Sequence, residues 1–586
     1  MHDVAFFERS VLPAEQPRVF LVHEKREVWS QFAAFVPKAL AEARMRLDER
    51  VERLTERRGI ERDVACASRK TAEGTVKEHP HMSTTKSPRD FRHPAHHSEY
   101  DAGVADPLAE RSVVLDALRR AADAAERYVA DIDADRARRP GANDAALSLT
   151  SRLPEDGDGA LAAIDELVRA SDGALRASGP RFFHWVIGGD TPAALAADWL
   201  TSAWDQNAAA WDSTPIGSRC EELAIDWLKE LFGLPASWGG VLVTGATMAN
   251  FTALAAARTW WARRHGIDVD DRGFAGLPAV PVLSSGYIHP SATKALAMLG
   301  IGRGTVRRFA RDDVGRVDLA ALEGALRELG GAPAIIVGNA GEVNAGDFDP
   351  IDALADLADR YDAWLHIDGA FGLFARATPR AAHLAKGVER ASSAIADGHK
   401  WLNVPYDSGF AFVRDASLLA GAFAIGGAYL PKPGEHPMFG AMGPEASRRA
   451  RGIAIWATLR AYGKRGYREM VERHLALAQH LARTIDAAPD LERLADVPLN
   501  IVCFRYRPKN ARAEDLDALN LRIGAELLAD GRVYVGTTRY RGVVAFRPAI
   551  VNWRTTEVDV DLIVDVVREL GARLLPGAEV SIAGVR

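Results

Sequence analysis

Short, continuously apolar runs alternate with longer segments of helical periodicity through the middle of the chain. The runs fall at 240–243, 280–284, 334–338, 364–368, 393–396 and 409–413. Helical patterns lie before and between them, among them 193–206 and 218–232, the second with Ala224, Leu228 and Leu231 on one side. Strands apolar at successive positions are buried on both faces. Their alternation with helices predicts a mostly parallel sheet covered by helices. After Glu445 the pattern changes to helices at 453–462 and 467–489, strands at 500–506, 533–537 and 543–548, and a last helix at 557–574. That order predicts a smaller α+β unit.

Upstream, Val113, Val114, Leu118, Ala122 and Val129 fall near one face of a helix expected over 106–137, and a second helix is expected over 158–177. Gly179-Pro180 then breaks the chain. The division expected is 1–104, an extension and linker, partly disordered; 105–191, a helical segment; 192–445, the large domain; and 446–586, the small one. Within the extension, 29–60 has helix composition with Leu40, Leu47 and Leu54 at a spacing of seven. Arg and Glu crowd 42–70, which fits a solvated helix. His79, His81, His93, His96 and His97 lie amid Pro, Ser and Thr. Pro94 opposes a helix that would aim His93 and His97 at one ion, so a solvated linker and no metal are expected. Met82 stands in this linker, and the native start is expected there, with 1–81 being upstream sequence read in frame.

Composition adds exclusions. The 586 residues are 48% hydrophobic and 26% charged, as in an ordinary globular protein. Against 79 acidic residues stand 73 basic ones, a net charge of −6, which gives no argument for nucleic acid or an anionic membrane. Cys66, Cys220 and Cys503 are far apart in sequence and form no metal-type pair, which suits a reducing interior. No apolar run approaches the roughly 18 residues of a membrane span, and no basic region leads into an apolar leader. The expected location is the cytoplasm.

Candidate chemistry gathers at two of the apolar runs. The run 364–368 ends in Asp368, followed by two small residues, and Lys400 comes 32 residues later, just after another run. Parallel strands deliver their last residues to one edge of the sheet. Lysine condenses with aldehydes, and a buried Asp near a cation stays ionised and keeps a pyridinium protonated. Val241-Leu242-Val243 leads through Thr244, Gly245, Ala246 and Thr247 into a helix, whose N-terminus is a natural phosphate site. Tyr429 lies 29 residues after Lys400 in a stretch rich in Gly and Pro, the composition of a mobile loop that excludes water.

His366-Ile367-Asp368-Gly369-Ala370-Phe371, taken with Ala396-Asp397-Gly398-His399-Lys400-Trp401, resembles the group II pyridoxal-phosphate decarboxylases of the aromatic-amino-acid and glutamate decarboxylase type, over roughly residues 105–570. The resemblance implies the α/β fold type I of pyridoxal-phosphate transferases, a homodimer whose N-terminal helices pack on the partner, and pyridoxal 5'-phosphate as cofactor. It implies that Lys400 binds the aldehyde, Asp368 meets the ring nitrogen, and Ala370 is the small residue beneath the ring. Ala246 and Thr247 hold phosphate-contacting positions, with Met248 replacing the usual acid, and His399 is the phosphate-side histidine. His289 lies flat on the ring and helps place the substrate carboxylate.

Tyr429 matches a loop tyrosine that returns a proton after carbon dioxide departs; simple packing of the loop is the alternative. His184 and Trp185 occupy the substrate-pocket segment, although core packing also accounts for the Trp. Arg547 resembles an arginine that fixes an anionic group, with a surface ion pair as the other reading. Two departures stand out. Asp397 sits where Asn is frequent, and an acid near a phosphate is unfavourable unless it accepts N–H groups. Gly341-Glu342-Val343-Asn344 stands where many members read Gly-Thr-Thr. The implied reaction is decarboxylation of an L-amino acid, aromatic favoured because of Trp185, with glutamate, aspartate, sulfinate-bearing and diamino acids open. Transamination, aldol-type cleavage, aldehyde synthesis and a non-catalytic dimeric platform are the rivals.

Overall fold

The computed structural model describes residues 106–175, 178–427 and 434–575. Met82, the histidines at 79–97, Cys66 and Tyr429 lie outside these residues.

The main sheet has seven strands, β1 (Gly239–Val243), β2 (Val282–Ser284), β3 (Val306–Arg308), β4 (Ile335–Asn339), β5 (Trp364–Asp368), β6 (Ser393–Asp397) and β7 (Gly409–Val413), in the order β1-β7-β6-β5-β4-β2-β3. All pairings are parallel except those of β7, which runs antiparallel to both neighbours. β4 to β7 are buried at every position, as their unbroken apolar runs require. The register sets Asp368 opposite Asn339 on one side and Ile395 on the other, so β5 and β6 end side by side. β3 carries no apolar run because Arg307 and Arg308 are exposed at the sheet's edge.

At the opposite edge, β1 would leave backbone groups unpaired. Leu242 donates its N–H to Glu221 Oε1 at 3.0 Å, and its carbonyl accepts from Arg448. Arg448 and Glu221 pair at 2.8 Å with both side chains fully buried. Backbone helps offset the desolvation of such a pair, with the Ala208 and Leu242 carbonyls accepting from the two Nη groups of Arg448. The strand leading into residues 244–247 is thereby fixed from outside.

The second sheet is antiparallel, in the order β10 (Thr537–Tyr540), β11 (Val543–Phe546), β9 (Phe504–Tyr506), β8 (Leu491–Arg493). Two expected strands differ. Of 500–506 only the last three residues join the sheet, and 533–536 pairs elsewhere: Tyr534 bridges Phe182 and accepts the Phe183 N–H. Val533 and Val535 still bury their side chains in the core beneath this sheet. The two expected helices after Glu445 form one run, Gly452–Ala487, broken at Gly463 with φ +58°.

In the N-terminal segment, the helices Val114–Asp131 and Ala160–Ala174 pair. The first buries none of its residues, and Val114, Leu115 and Leu118 are each more than half exposed. A groove of about 730 Å³ runs between the two helices, lined by Ala121, Ala125, Tyr128, Ile164, Leu167 and Val168 among others. No helix among the described residues is long and apolar enough to cross a membrane.

Candidate active site

Asp368, at the carboxyl end of β5, is 5% exposed. Its Oδ2 accepts from Asn250 Nδ2 at 2.9 Å and its Oδ1 from the Ala370 N–H at 3.2 Å. Lys400 sits in the turn Gly398–Leu402 that follows β6, with its ammonium 5.8 Å from the Phe371 ring centre. Two other segments clasp this turn. Gly188 donates to the His399 carbonyl, and Thr191 donates to that of Asn403. Asn403 in turn donates to Val551 and accepts from Trp553.

His289 caps the helix Pro290–Met298, its Nδ1 accepting from the Ser291 N–H at 3.2 Å. Burial lowers the imidazole's pKa; Asp368 pulls it up, and Lys400 and Arg547 push it down. His289 is therefore close enough to Asp368, Lys400 and Arg547 to feel all three charges.

The loop after β1 approaches from the next side. Gly245 packs on Gly409 so closely that a Cβ on Gly409 would stand 2.5 Å from the Gly245 backbone. Asp397, at the end of β6, accepts the Ala246 N–H at 3.0 Å and lies 2.8 Å from His399 Nδ1. The imidazole of His399 stacks on Tyr406 with ring centres 4.2 Å apart. Asp397 thus takes the first amide of the helix Ala246–Arg264, which leaves those of Thr247 and Met248 without an intrahelical acceptor. Ala246, expected at a phosphate-contacting position, has its own N–H committed to Asp397.

Arg547 is 7% exposed and forms no ion pair among the described residues; its Nη1 is buried without a hydrogen-bond partner. The surface-ion-pair reading of Arg547 does not hold, because β11 carries the chain directly into the interior. Burial lowers the guanidinium's pKa, and Glu342 is the leading charge opposing that shift. Glu342 is itself buried, accepting from the Asn344 and Ala345 N–H groups at 2.9 and 2.8 Å. Burial pushes its carboxyl up, against these hydrogen bonds and Arg547.

His184 and Trp185 lie just before the Gly188 contact, in a cluster with Phe182 and Tyr534. Trp185 is 56% exposed, so core packing does not account for it. Trp185 and Val186 adopt φ of +56° and +64°, a backbone that side-chain-bearing residues rarely hold outside constrained sites. Tyr429 lies outside the described residues. Sequence reading missed Asn250, although it closes the Thr244–Asn250 stretch that resembles the phosphate loop.

The residues present fit a phosphorylated pyridine aldehyde. They offer a lysine and an acid at the ends of adjacent strands, free helix amides with a histidine nearby for phosphate, and a buried arginine with an unfilled donor for a carboxylate. Comparison with known proteins agrees. Residues 152–507 match the pyridoxal-dependent decarboxylase conserved domain. The aromatic-L-amino-acid decarboxylase of Bacillus atrophaeus is 31% identical over 386 residues, 64% of this chain and 78% of that protein. An L-2,4-diaminobutyrate decarboxylase of Rhizobium meliloti is 32% identical over 391 residues, 65% of this chain and 76% of that protein. Among solved structures, Oryza sativa TDC with PLP and tryptamine superposes with a TM-score of 0.73 at 26% identity, over 79% of this chain and 98% of that one. The chain belongs to the pyridoxal-dependent decarboxylase family, and it is a pyridoxal-phosphate-dependent carboxy-lyase acting on an amino acid.

Proposed function

We propose that the substrate is an L-amino acid with an aromatic side chain, released as the amine and carbon dioxide. Lys400 would hold the cofactor's aldehyde carbon, Asp368 its ring nitrogen, and His289 and Ala370 its two faces. Thr247, the helix end at Ala246 and His399 would hold the phosphate. When bound, the cofactor takes up the electron pair left on the α-carbon as carbon dioxide departs. Asp368, buried at the end of β5, would keep a proton on the ring nitrogen. Arg547 binds the substrate carboxylate through the donor it leaves unfilled, and His289 steadies the same group. Tyr429 is the residue proposed to return a proton to the α-carbon.

The observation that carries this reading is that Asp368 ends β5 while Lys400 follows the adjacent β6, with its Nζ 5.8 Å from the centre of the Phe371 ring just after Asp368. Aromatic preference is supported by the half-exposed Trp185 and its ring neighbours, held three residues from the Gly188–Lys400 contact. The test is a screen of L-amino acids with added cofactor, scoring carbon dioxide and amine together, with Lys400→Ala as the control. Amine in step with carbon dioxide from tryptophan, phenylalanine or tyrosine supports it; keto acid or aldehyde products sink it.

Glu342 favours a second reading, a diamino acid, since a buried carboxylate beside the site suits a distal ammonium. Faster turnover of 2,4-diaminobutyrate than of any aromatic acid would select it. A second copy of the chain is the proposed partner, covering the exposed Val114, Leu115 and Leu118. The domain divisions at 105, 192 and 446 are part of the same proposal. So is a cytoplasmic location, which suits Cys220 and Cys503, both free and buried.

A further inference from the structure

The acid at the end of β5 is held by more than its sheet. Asn250, fully buried, donates Nδ2–H to Asp368 Oδ2 at 2.9 Å and also reaches Ser291 Oγ at 3.3 Å. Its Oδ1 lies 2.8 Å from His366 Nε2, and His366 Nδ1 lies 2.8 Å from Ser393 Oγ. Ser393 Oγ accepts from Trp364 Nε1 at 3.0 Å.

The two ends fix the direction of every bond between them. An indole N–H only donates, and an ionised carboxylate only accepts. His366 is neutral, its pKa pushed down to about 4 by burial, so one ring nitrogen donates and the other accepts. With Nδ2 of Asn250 turned to Asp368, its Oδ1 must accept. His366 therefore carries its proton on Nε2 and receives the Ser393 hydroxyl hydrogen on Nδ1. Donation runs from Trp364 through Ser393, His366 and Asn250 to Asp368 with no bond reversed.

A branch leaves at the same amide. Ser291 donates its N–H to His289 Nδ1, and its hydroxyl lies 2.7 Å from that nitrogen. A nitrogen that accepts leaves the imidazole's proton on Nε2. Ser291 Oγ, accepting from Asn250, has its own hydrogen free for His289.

We propose that Asn250 is the positioning residue of this site, its two amide hydrogens setting Asp368 directly and His289 through Ser291. One hydrogen engages Oδ2 of Asp368, so the ring nitrogen is left to Oδ1, which takes only the Ala370 amide. The other engages Ser291 Oγ and turns its hydrogen to His289 Nδ1, reinforcing the Nε2–H tautomer that the Ser291 N–H already favours. The inference rests on the reading that places Asp368 at the ring nitrogen and His289 on the ring face.

The test uses the full chain reconstituted with pyridoxal 5'-phosphate, and reads cofactor affinity from the visible absorbance of the bound form. Asn250→Ala should weaken cofactor binding about tenfold, the size expected for a lost hydrogen bond to a charged group. Asn250→Asp should weaken it further by setting two carboxylates together. In an Asp368→Ala background, Asn250→Ala should change affinity by less than about threefold, because coupled residues do not add. Native affinity in Asn250→Ala, or the same loss in both backgrounds, overturns the proposal. Unweakened binding in Asp368→Ala alone overturns instead the placement of Asp368. Should the Asn250 variants not fold, Ser291→Ala cuts only the His289 branch. It should shift the pH profile of kcat while cofactor affinity stays within about threefold, and an unshifted profile counts against the branch.

Discussion

Gly188 meets the carbonyl of Lys400 so closely that a Cβ on Gly188 would stand 1.8 Å from that oxygen. Nothing flexible lies on the far side of this contact, since both partners are backbone. Gly188→Ala must therefore move the lysine turn or the 184–188 segment. Forced overpacking costs about 1–3 kcal/mol, and here the strain falls on the residue that holds the cofactor. The expected result is a lower unfolding midpoint together with a loss of cofactor affinity and kcat. A variant of native affinity and activity would show that the turn is not held from this side.

Asp349 gives a pH test of the ground beneath the site. Its Oδ2 accepts from Ser285 Oγ and twice from Asn339, while Oδ1 is buried without a partner. Burial outweighs these hydrogen bonds and pushes its pKa up to about 6. The sign follows: the folded protein binds the proton more tightly than the unfolded chain. Stability from this group is full below the unfolded value near 4 and is lost as pH rises to about 6. The loss is about 3 kcal/mol, from the size of the shift. Asp349→Asn removes the titration. Denaturant unfolding across this range should show wild-type stability falling relative to the variant from about pH 4 to 6 and a constant difference above about 7; parallel curves throughout would refute it.

Much of this could be read from the chain. Runs such as 364–368 and 409–413 announce strands buried on both faces, and the spacing of Asp368 and Lys400 announces one shared edge. β3 could not be read, because Arg307 and Arg308 face solvent and break its apolar run. The 533–536 segment misled because its apolar residues are buried against a core while its backbone pairs with 182–183. Asp397 was legible only as a condition: an acid there needs an N–H, and Ala246 supplies it. Asn250 was not legible as a hub, because its partners Asp368 and His366 lie 118 and 116 residues away. Only the fold says which polar side chains meet.

The helix Val114–Asp131 presents an apolar face that the described residues leave open. Leu115 and Leu118 are 61% and 56% exposed, and a monomer gains nothing by displaying them. Leu115→Glu with Leu118→Glu should shift sedimentation from dimer to monomer at micromolar protein. The fold of 192–575 should persist, because these side chains contribute no buried area to it. Unchanged assembly would remove this face from the proposed interface.

Arg547 combines burial, an orphaned Nη1 and the absence of an ion pair among the described residues, so it costs stability in the free protein. A group kept at such a cost should repay it on binding. Arg547→Met should leave the unfolding midpoint unchanged or raise it, since a buried charge with no ion pair among the described residues is removed while Glu342 keeps its own N–H donors. The same variant should lose about 2–5 kcal/mol of transition-state binding, or roughly 30-fold to several-thousand-fold in kcat/KM. If the carboxylate is gripped equally before and during its departure, the loss appears mostly in KM. Arg547→Lys keeps the charge but not the planar fork, and its kcat/KM should fall between the two. A fall in stability with unaltered kinetics would make Arg547 a structural partner of Glu342 and leave the substrate carboxylate to another group.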